Sequence, residues 1–250
     1  MKVIWFASLM AVALLLVSVP VHASEMDKRI ESSARDSYVF KTYLKGDDVQ
    51  VRSQDGVVVL TGTVAEESHK TLAQDTVAGL PGVKSVDNKL QVKGETPALN
   101  SDAWLSAKVK ATLLLHKNVS AVKTKVSAAN GIVTLRGEAD SKAQKELTTE
   151  YAKGVEGVEE VKNEMTLSKT SKKTRTMGDK IDDASITAQV KMALLYHRST
   201  SALKTGVETK NGVVTISGEA ANAAEKDLVS KLVKDVNGVK SVTNQMTVGE

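Results

Sequence analysis

The chain contains no cysteine, only three prolines and few aromatic residues among its 250 positions. Without cysteine it can form neither a disulfide bond nor a thiolate metal site, and it offers no cysteine nucleophile and no cysteine for lipid attachment. Aromatic side chains make up only 3% of the residues. Any hydrophobic core must therefore be built mainly from Val, Leu, Ile, Met and Ala.

Long apolar runs are absent after residue 23, and the one run before it has the features of an export signal. Lys2 precedes an almost continuous apolar stretch over 3–19, and Val21 and Ala23 stand where a signal peptidase requires small or tolerated residues. We predict a signal peptide at 1–23, cleaved after Ala23, and no membrane span in the remaining chain. The alternative is an uncleaved anchor, which the short run and the cleavage site disfavour.

The positive charge of the chain is concentrated in one short segment. The formal net charge is +4, yet the segment 169–180 alone contains five basic residues and one acidic residue. The rest of the chain after residue 23 is close to neutral, which argues against nucleic acid as a partner, because nucleic acid requires a basic face on a folded module. The segment is either a solvated tether or an electrostatic contact with anionic lipid or cell-wall polymer.

Two short phrases each occur three times, in the same order and with the same spacing. The first phrase has the form Gly-hydrophobic-Val-x-Leu/Ile-x-Gly and ends at Gly62, Gly137 and Gly218. The second has the form Gly-Val-x-x-Val-x-Asn-x-Leu/Met and opens at Gly82, Gly157 and Gly238. A catalytic site is usually unique in a chain, so three copies of one small module indicate binding or scaffolding, with multivalency as the reason for repetition.

The second copy shows the order of elements within a module. Ser101 or Asp102 can cap a helix that has an apolar stripe, and a short strand follows it. Asn130-Gly131 then marks a tight hairpin turn, because that pair tolerates positive φ at both positions. A second helix and a third strand complete the unit. The predicted fold class is α+β, with three tandem αββαβ modules, each a three-stranded mixed sheet packed with two helices.

An asparagine recurs in the third strand, at Asn88, Asn163 and Asn244, in a position that should face inward. A buried amide needs hydrogen-bond partners, and we expect it to bond to the backbone at the glycine turn. We predict structural roles for the six glycines that bound the two phrases: Gly62, Gly82, Gly137, Gly157, Gly218 and Gly238.

No residue pattern points to catalysis, to a metal or to a cofactor. No nucleophile-elbow motif surrounds a serine, and no pair of histidines has the spacing of zinc ligands. His116 and His197 recur at the end of the first helix, where a cation is favoured by the helix dipole. A metal shared between these two histidines would require their helix ends to dock together. We predict that the protein is not an enzyme and uses no cofactor.

The two phrases resemble the BON domain, and the resemblance extends over nearly all of the chain after residue 23. It implies the αββαβ module, a periplasmic location and a non-catalytic role. Family members are linked to envelope or osmotic stress, to contact with phospholipid membranes and to chaperone-like help for exported proteins. This chain has three modules where similar proteins have two, and it lacks the LysM module and the lipid-anchoring cysteine of some relatives.

We assign module 1 to 27–93, module 2 to 99–168, a basic linker to 169–180 and module 3 to 181–250. The residues predicted to contact lipid or a partner are Trp104, Lys108, Leu114, Leu115, Lys169, Lys172, Lys173 and Arg175. The first four lie on one helix that has Lys110 at its edge, and the alternative for that helix is packing in a core or between modules. The longer linker before module 3 predicts that this module moves more freely than the first two.

The leading functional hypothesis is a monomeric periplasmic envelope or osmotic-stress protein whose repeats bind anionic phospholipid or envelope surfaces. The first alternative is a chaperone-like protein that holds exported client proteins without touching lipid. The second alternative is a structural spacer whose modules pack on one another, in which case the loss of one module would destabilise its neighbours.

Overall fold

The computed structural model describes residues 25–94, 97–168, 180–200 and 205–249, and within them each module is a helix, a hairpin, a second helix and a further strand. Module 1 contains α1 (Glu25–Asp36), α2 (Tyr38–Thr42), β1 (Asp48–Gln54), β2 (Val57–Val64), α3 (Glu67–Ala78), β3 (Ser85–Asn88) and β4 (Gln91–Val92). Module 2 contains α4 (Asp102–Leu115), β5 (Thr124–Ala129), β6 (Ile132–Ala139), α5 (Lys142–Gly154), β7 (Glu160–Asn163) and β8 (Thr166–Leu167). Module 3 contains α6 (Asp183–Tyr196), β9 (Thr205–Lys210), β10 (Val213–Ala220), α7 (Ala223–Lys234), β11 (Ser241–Asn244) and β12 (Thr247–Val248).

Each sheet is mixed, as predicted, and has the second strand of the hairpin at its centre. In module 2, β5 pairs with β6 in antiparallel fashion, and β7 and β8 both pair with β6 in parallel. The same arrangement occurs in the other modules. In module 1 the strands β1, β3 and β4 pair with β2, and in module 3 the strands β9, β11 and β12 pair with β10. The predicted fold class, three α+β modules, is confirmed.

The recurrent asparagine interrupts the third strand and divides it into two short strands. Asn163 Nδ2 donates to Lys145 O at 2.9 Å and to Thr149 Oγ1 at 2.7 Å, both on α5, while its Oδ1 accepts from Met165 N at 3.0 Å. Asn88 and Asn244 make the equivalent bonds. The prediction that this asparagine bonds to the backbone at the glycine turn was wrong. Its side chain points to the second helix of the module and joins that helix to the strand.

The tight hairpin turns have the backbone that Asn-Gly and Asp-Gly pairs permit. Asn130 and Gly131 have φ of 50° and 77°. In module 3 an aspartate at the start of the first helix binds the equivalent turn. Asp183 accepts from Asn211 N at 2.6 Å and from Gly212 N at 2.8 Å. The sequence therefore ties the first helix to the hairpin through a single carboxylate that the helix pattern alone would assign to capping.

The three modules do not have three separate hydrophobic cores. Side chains of modules 1 and 3 form one continuous cluster, which includes Val39 and Leu60 from module 1, Ile186 and Ile216 from module 3, and Leu115 from module 2. A second cluster contains the core of module 2 and reaches Leu232 of module 3. Module 3 thus packs against both other modules, contrary to the expectation from linker length, because buried apolar surface and not the length of a tether determines which modules associate.

Modules 2 and 3 meet along a seam that is nearly two-fold symmetric. His116 forms an antiparallel bridge with Val236, and the equivalent His197 forms one with Val155. Asn237 N donates to Leu115 O at 3.0 Å, and Glu156 N donates to Tyr196 O at 3.1 Å. These pairs exchange equivalent positions of the repeat, which is the arrangement found at the interface of a symmetric dimer.

Candidate contact surfaces

The predicted contact helix α4 begins at the cap that the sequence suggested. Ser101 Oγ accepts from Trp104 N at 3.2 Å, which places Trp104 in the first turn. The indole is half-buried and packs beside the core of module 2. Its position combines an apolar contact with access to a cavity between the modules.

Lys108 lies one turn further along α4 and has an exposed fraction of only 7%. Its Nζ is 4.5 Å from the centroid of the Trp104 ring and 5.5 Å from that of Tyr196, and it is 3.1 Å from Glu156 Oε2. A buried ammonium needs such compensation, and the two aromatic faces and one carboxylate supply it. Lys108 is therefore held inside the assembly by modules 2 and 3.

The cavity above these side chains is bounded by all three modules and has a volume of about 270 Å³. Burial, followed by the nearby carboxylates of Glu66 and Glu67, raises the pKa of Tyr196 to about 12. The cavity therefore has carboxylates on one side and an aromatic pair with a lysine on the other. It is lined by Ala65, Glu66, Glu67, Ser68, Val92, Lys93, Pro97, Trp104, Ala107, Lys108 and Tyr196.

The last two predicted contact residues of α4 have different environments. Leu115 is 1% exposed and belongs to the core shared by modules 1 and 3, so it is not available to a lipid surface in this arrangement. Leu114 is half-buried and borders a surface groove. For Leu115 and Lys108 the alternative of packing between modules therefore describes what is observed.

The carboxyl end of α4 is also the point where hydrogen bonds join the three modules. Leu114 O accepts from the Tyr43 hydroxyl of module 1 at 3.1 Å and from Asn237 Nδ2 of module 3 at 3.0 Å. The Tyr43 hydroxyl also lies 2.9 Å from Gln189 Oε1 of module 3. A carbonyl near the end of a helix has no partner within the helix, so side chains from the other modules satisfy it here. Burial raises the pKa of Tyr43.

His116 and His197 lie in the seam between modules 2 and 3, so their helix ends do meet neighbouring modules. The His116 ring is stacked on Tyr151 with 3.8 Å between centroids, and the Tyr151 hydroxyl donates to Asp235 Oδ2 at 2.7 Å. Burial lowers the pKa of His116 to about 4, against a smaller opposing effect of Asp235, and burial also lowers the pKa of His197. Within the described residues no group of three or more metal-ligating side chains is found.

The remaining predicted residues are the six glycines and the basic residues of the linker. The six glycines all have positive φ, from 86° at Gly238 to 124° at Gly137. Lys169, Lys172, Lys173 and Arg175, like the predicted signal peptide, belong to the part of the chain that the structure does not describe. In the described part no helix is both long enough and apolar enough to cross a membrane.

Sequence reasoning missed the residues that join the modules: Tyr43, Gln189, Tyr196 and Asn237. At each of these four positions the three modules carry three different residues. Tyr196 stands where module 2 has Leu115, and Gln189 stands where module 2 has Lys108. Comparison of equivalent positions for such departures is the signal that could have found them, because a module that packs on different neighbours needs different side chains at the contact.

Comparison with known proteins agrees with the repeat pattern and the fold. The BON domain family model matches residues 26–94, 101–169 and 182–250. The chain is 32% identical to osmotically-inducible protein Y of Escherichia coli (strain K12) over 189 residues, which are 76% of this chain and 92% of that protein. It is 32% identical over 115 residues to outer membrane lipoprotein DolP of Haemophilus influenzae, and 31% identical over 115 residues to a 21 kDa hemolysin of Actinobacillus pleuropneumoniae; each match covers 45% of this chain and 59% of the relative. The protein therefore belongs to the BON domain family and carries three copies of the domain.

Proposed function

We propose that this protein is a non-catalytic periplasmic protein of the envelope or osmotic-stress response that binds phospholipid or envelope surfaces. The observation that carries the proposal is the similarity to an osmotically inducible protein over 76% of the chain, together with that to an outer membrane lipoprotein. The basic segment Lys169, Lys172, Lys173 and Arg175 supplies the surface contact, since each basic residue near an anionic membrane contributes about 1 kcal/mol.

Co-sedimentation with vesicles tests the lipid part of this proposal. The chain from residue 24 is mixed with anionic and with neutral vesicles at low and at moderate salt. We expect binding to anionic vesicles only, and weaker binding at moderate salt because the contact is electrostatic. The triple variant Lys172/Lys173/Arg175→Ala should bind less than wild type. The matched control Lys89/Lys142/Lys153→Ala removes the same charge from exposed sites in modules 1 and 2.

A second function, the holding of exported client proteins, is favoured by apolar side chains left exposed on the modules. Val122, Leu167 and Val248 are among these, and Val122 has an exposed fraction of 92%. Suppressed aggregation of an unrelated unfolding protein, with little dependence on salt, would support this function. No binding of wild type to either kind of vesicle, combined with suppressed aggregation, would favour client holding over lipid contact.

A further inference from the structure

The outer edge of the module 2 sheet presents backbone groups that have no partner among the residues the structure describes. β5 is the terminal strand in the order β5-β6-β7. Glu138 N donates to Lys123 O, so alternate residues of the strand, counted from Lys123, face β6. The N–H and C=O groups of Val126 and Ala128 therefore point away from the sheet. Among the described residues, no hydrogen bond reaches them from outside the ladder. Unpaired strand edges are templates for the addition of another chain.

Module 1 shows what the same edge looks like when it is occupied. Ser53 stands at the position equivalent to Ala128, and its N–H donates to Glu31 Oε1 of α1 at 3.0 Å. In module 2 the position of Glu31 is held by Ser106, whose hydroxyl is directed to Asp102 O at 2.8 Å. The edge of module 1 is thus covered by its own carboxylate, whereas that of module 2 lacks this internal cover.

Beside this edge runs a groove between α4 and β5 with a volume of about 530 Å³. Leu114, Val122 and Val126 contribute apolar surface, and Lys110 and Lys125 contribute positive charge. Both lysines are exposed, and in the described part of the chain neither has a carboxylate within ion-pair distance. In the equivalent groove of module 1, Arg35 stands in the place of Lys110 and pairs with Glu31 at 3.7 Å.

We propose that the β5 edge and the α4 groove of module 2 bind an extended acidic polypeptide segment, which adds to the sheet as a further strand. Its main chain pairs with Val126 and Ala128, its carboxylates meet Lys110 and Lys125, and its alternate apolar side chains contact Leu114 and Val122. The carboxylate of Glu31 on the module 1 edge is the internal precedent for such a ligand. This inference rests on the protein-binding form of the proposed function and names the chemistry of the client.

Peptide binding tests the proposal directly. A labelled decapeptide of alternating valine and glutamate is titrated with the chain from residue 24 at low salt, and the same peptide with lysine in place of glutamate is the counterpart. We expect the acidic peptide to bind at least about tenfold more tightly, because two exposed charge contacts change from attractive to repulsive. Hydrogen exchange at the amides of Val126 and Ala128 should slow on binding.

Two pairs of variants separate the edge from the charge. Ala128→Pro removes the outward N–H but spares the bonds to β6, while Ala128→Val keeps the N–H; only the proline variant should lose binding by about tenfold or more. Lys110→Glu with Lys125→Glu should reverse the preference between the two peptides. Lys142→Glu with Lys153→Glu, on the exposed surface of α5, makes the same change of charge away from the groove and should preserve the preference. Unchanged circular dichroism of each variant shows that the fold is retained.

Several outcomes would overturn the proposal. Equal binding by Ala128→Pro and wild type, unchanged exchange at the two amides, or binding to anionic vesicles with none to either peptide would each do so. The proposed function is scored separately by suppression of client aggregation. If Ala128→Pro suppresses aggregation as well as wild type, client proteins are held but not at the β5 edge. If wild type binds the acidic peptide through β5 but suppresses no aggregation, peptide binding at this edge is supported and the holding of client proteins is not.

Discussion

At the scale of single residues, the repeated phrases contain residues that meet the same local structural requirement in each of the three modules. At Gly137 this requirement is steric, because its φ is 124° and a Cβ built on it would lie 2.0 Å from Lys123 O. Gly62 is in the same situation relative to Asp48 O. Only glycine permits the hairpin strands to approach this closely.

Replacement of Gly137 by alanine should therefore destabilise module 2 severely. We expect a loss of about 3 kcal/mol, from backbone strain together with a clash against main-chain atoms that cannot move aside. Urea unfolding measures the change. Gly46→Ala is the matched control, since a Cβ at that position would meet nothing within 4 Å and the φ of Gly46 is not positive; it should shift stability by no more than about 0.5 kcal/mol.

Replacement of Asn163 by alanine should also be costly. The substitution removes two donor bonds to α5 and the bond that Met165 N makes, and Met165 is a buried residue. We expect a loss of about 1–3 kcal/mol in the free energy of unfolding. Lys162→Ala changes the exposed neighbour in β7 and should be nearly neutral. If both variants unfolded at the same urea concentration, the bonds of Asn163 would not be what joins β7 to α5.

At the scale of elements, the seam between modules 2 and 3 is formed by helix ends, where backbone groups lack partners within their own helix. The antiparallel bridges from His116 and His197 give these groups partners in the neighbouring module. His116 is buried there and His197 is half-buried, and burial lowers the pKa of both rings, which makes the seam sensitive to acid.

Stability should therefore fall as the pH drops from about 6.5 to about 4. The pKa of His116 is about 4 in the folded protein and 6.5 when unperturbed, so in this window the unfolded state binds the proton and the folded state does not. The contribution of His116 is complete above the upper limit and decreases towards the lower one, by about 3 kcal/mol in total. Urea unfolding across this range measures the slope, to which His197 contributes in the same direction.

The variant His116→Gln separates this histidine from the carboxylates, which also titrate in acid. It should unfold with a shallower dependence on pH between 6.5 and 4 than wild type, because one buried ring no longer has to stay neutral. A slope identical to that of wild type would show that His116 does not control the acid response of the seam.

At the scale of the whole molecule, the three modules form a single packed body with a shared core. Residues from modules 1 and 3 are continuous within it, and Leu114 O at the end of α4 accepts hydrogen bonds from Tyr43 and Asn237. Small modules with few aromatic side chains bury little surface by themselves, so the association of modules supplies burial that each one lacks.

Removal of module 3 should therefore destabilise module 1. A chain that ends at residue 180 exposes the side of module 1 that packs on α6, and it also removes the bonds that Asp182 and Ser185 accept from Tyr38 N and Val39 N. Hydrogen exchange should show faster exchange in α2 and α3 than in the full chain. Unchanged protection of these helices from hydrogen exchange would show that module 1 is stable without module 3 and folds independently of it.

The sequence by itself determined the module and its number of copies. Gly137 and Asn163 recur because steric and hydrogen-bond requirements within a module are local and identical in every copy, so repetition reveals them. The order of elements, the hairpin turns and the mixed sheets follow from the same local chemistry. The predicted contact of Leu114 with lipid or a partner stays a prediction, whereas Leu115 and Lys108 of the same helix are buried.

Tertiary structure alone decided which faces of the modules remain free. The amphipathic pattern of α4 shows that a helix has an apolar side, but it does not tell whether lipid, the module itself or another module covers that side. The contacts of Leu115 with the shared core and of Lys108 with Tyr196 depend on residues that are distant in sequence and occur in one copy only. Packing between modules is a property of pairs of surfaces, and for that reason a repeat pattern, which describes one module at a time, could not specify it.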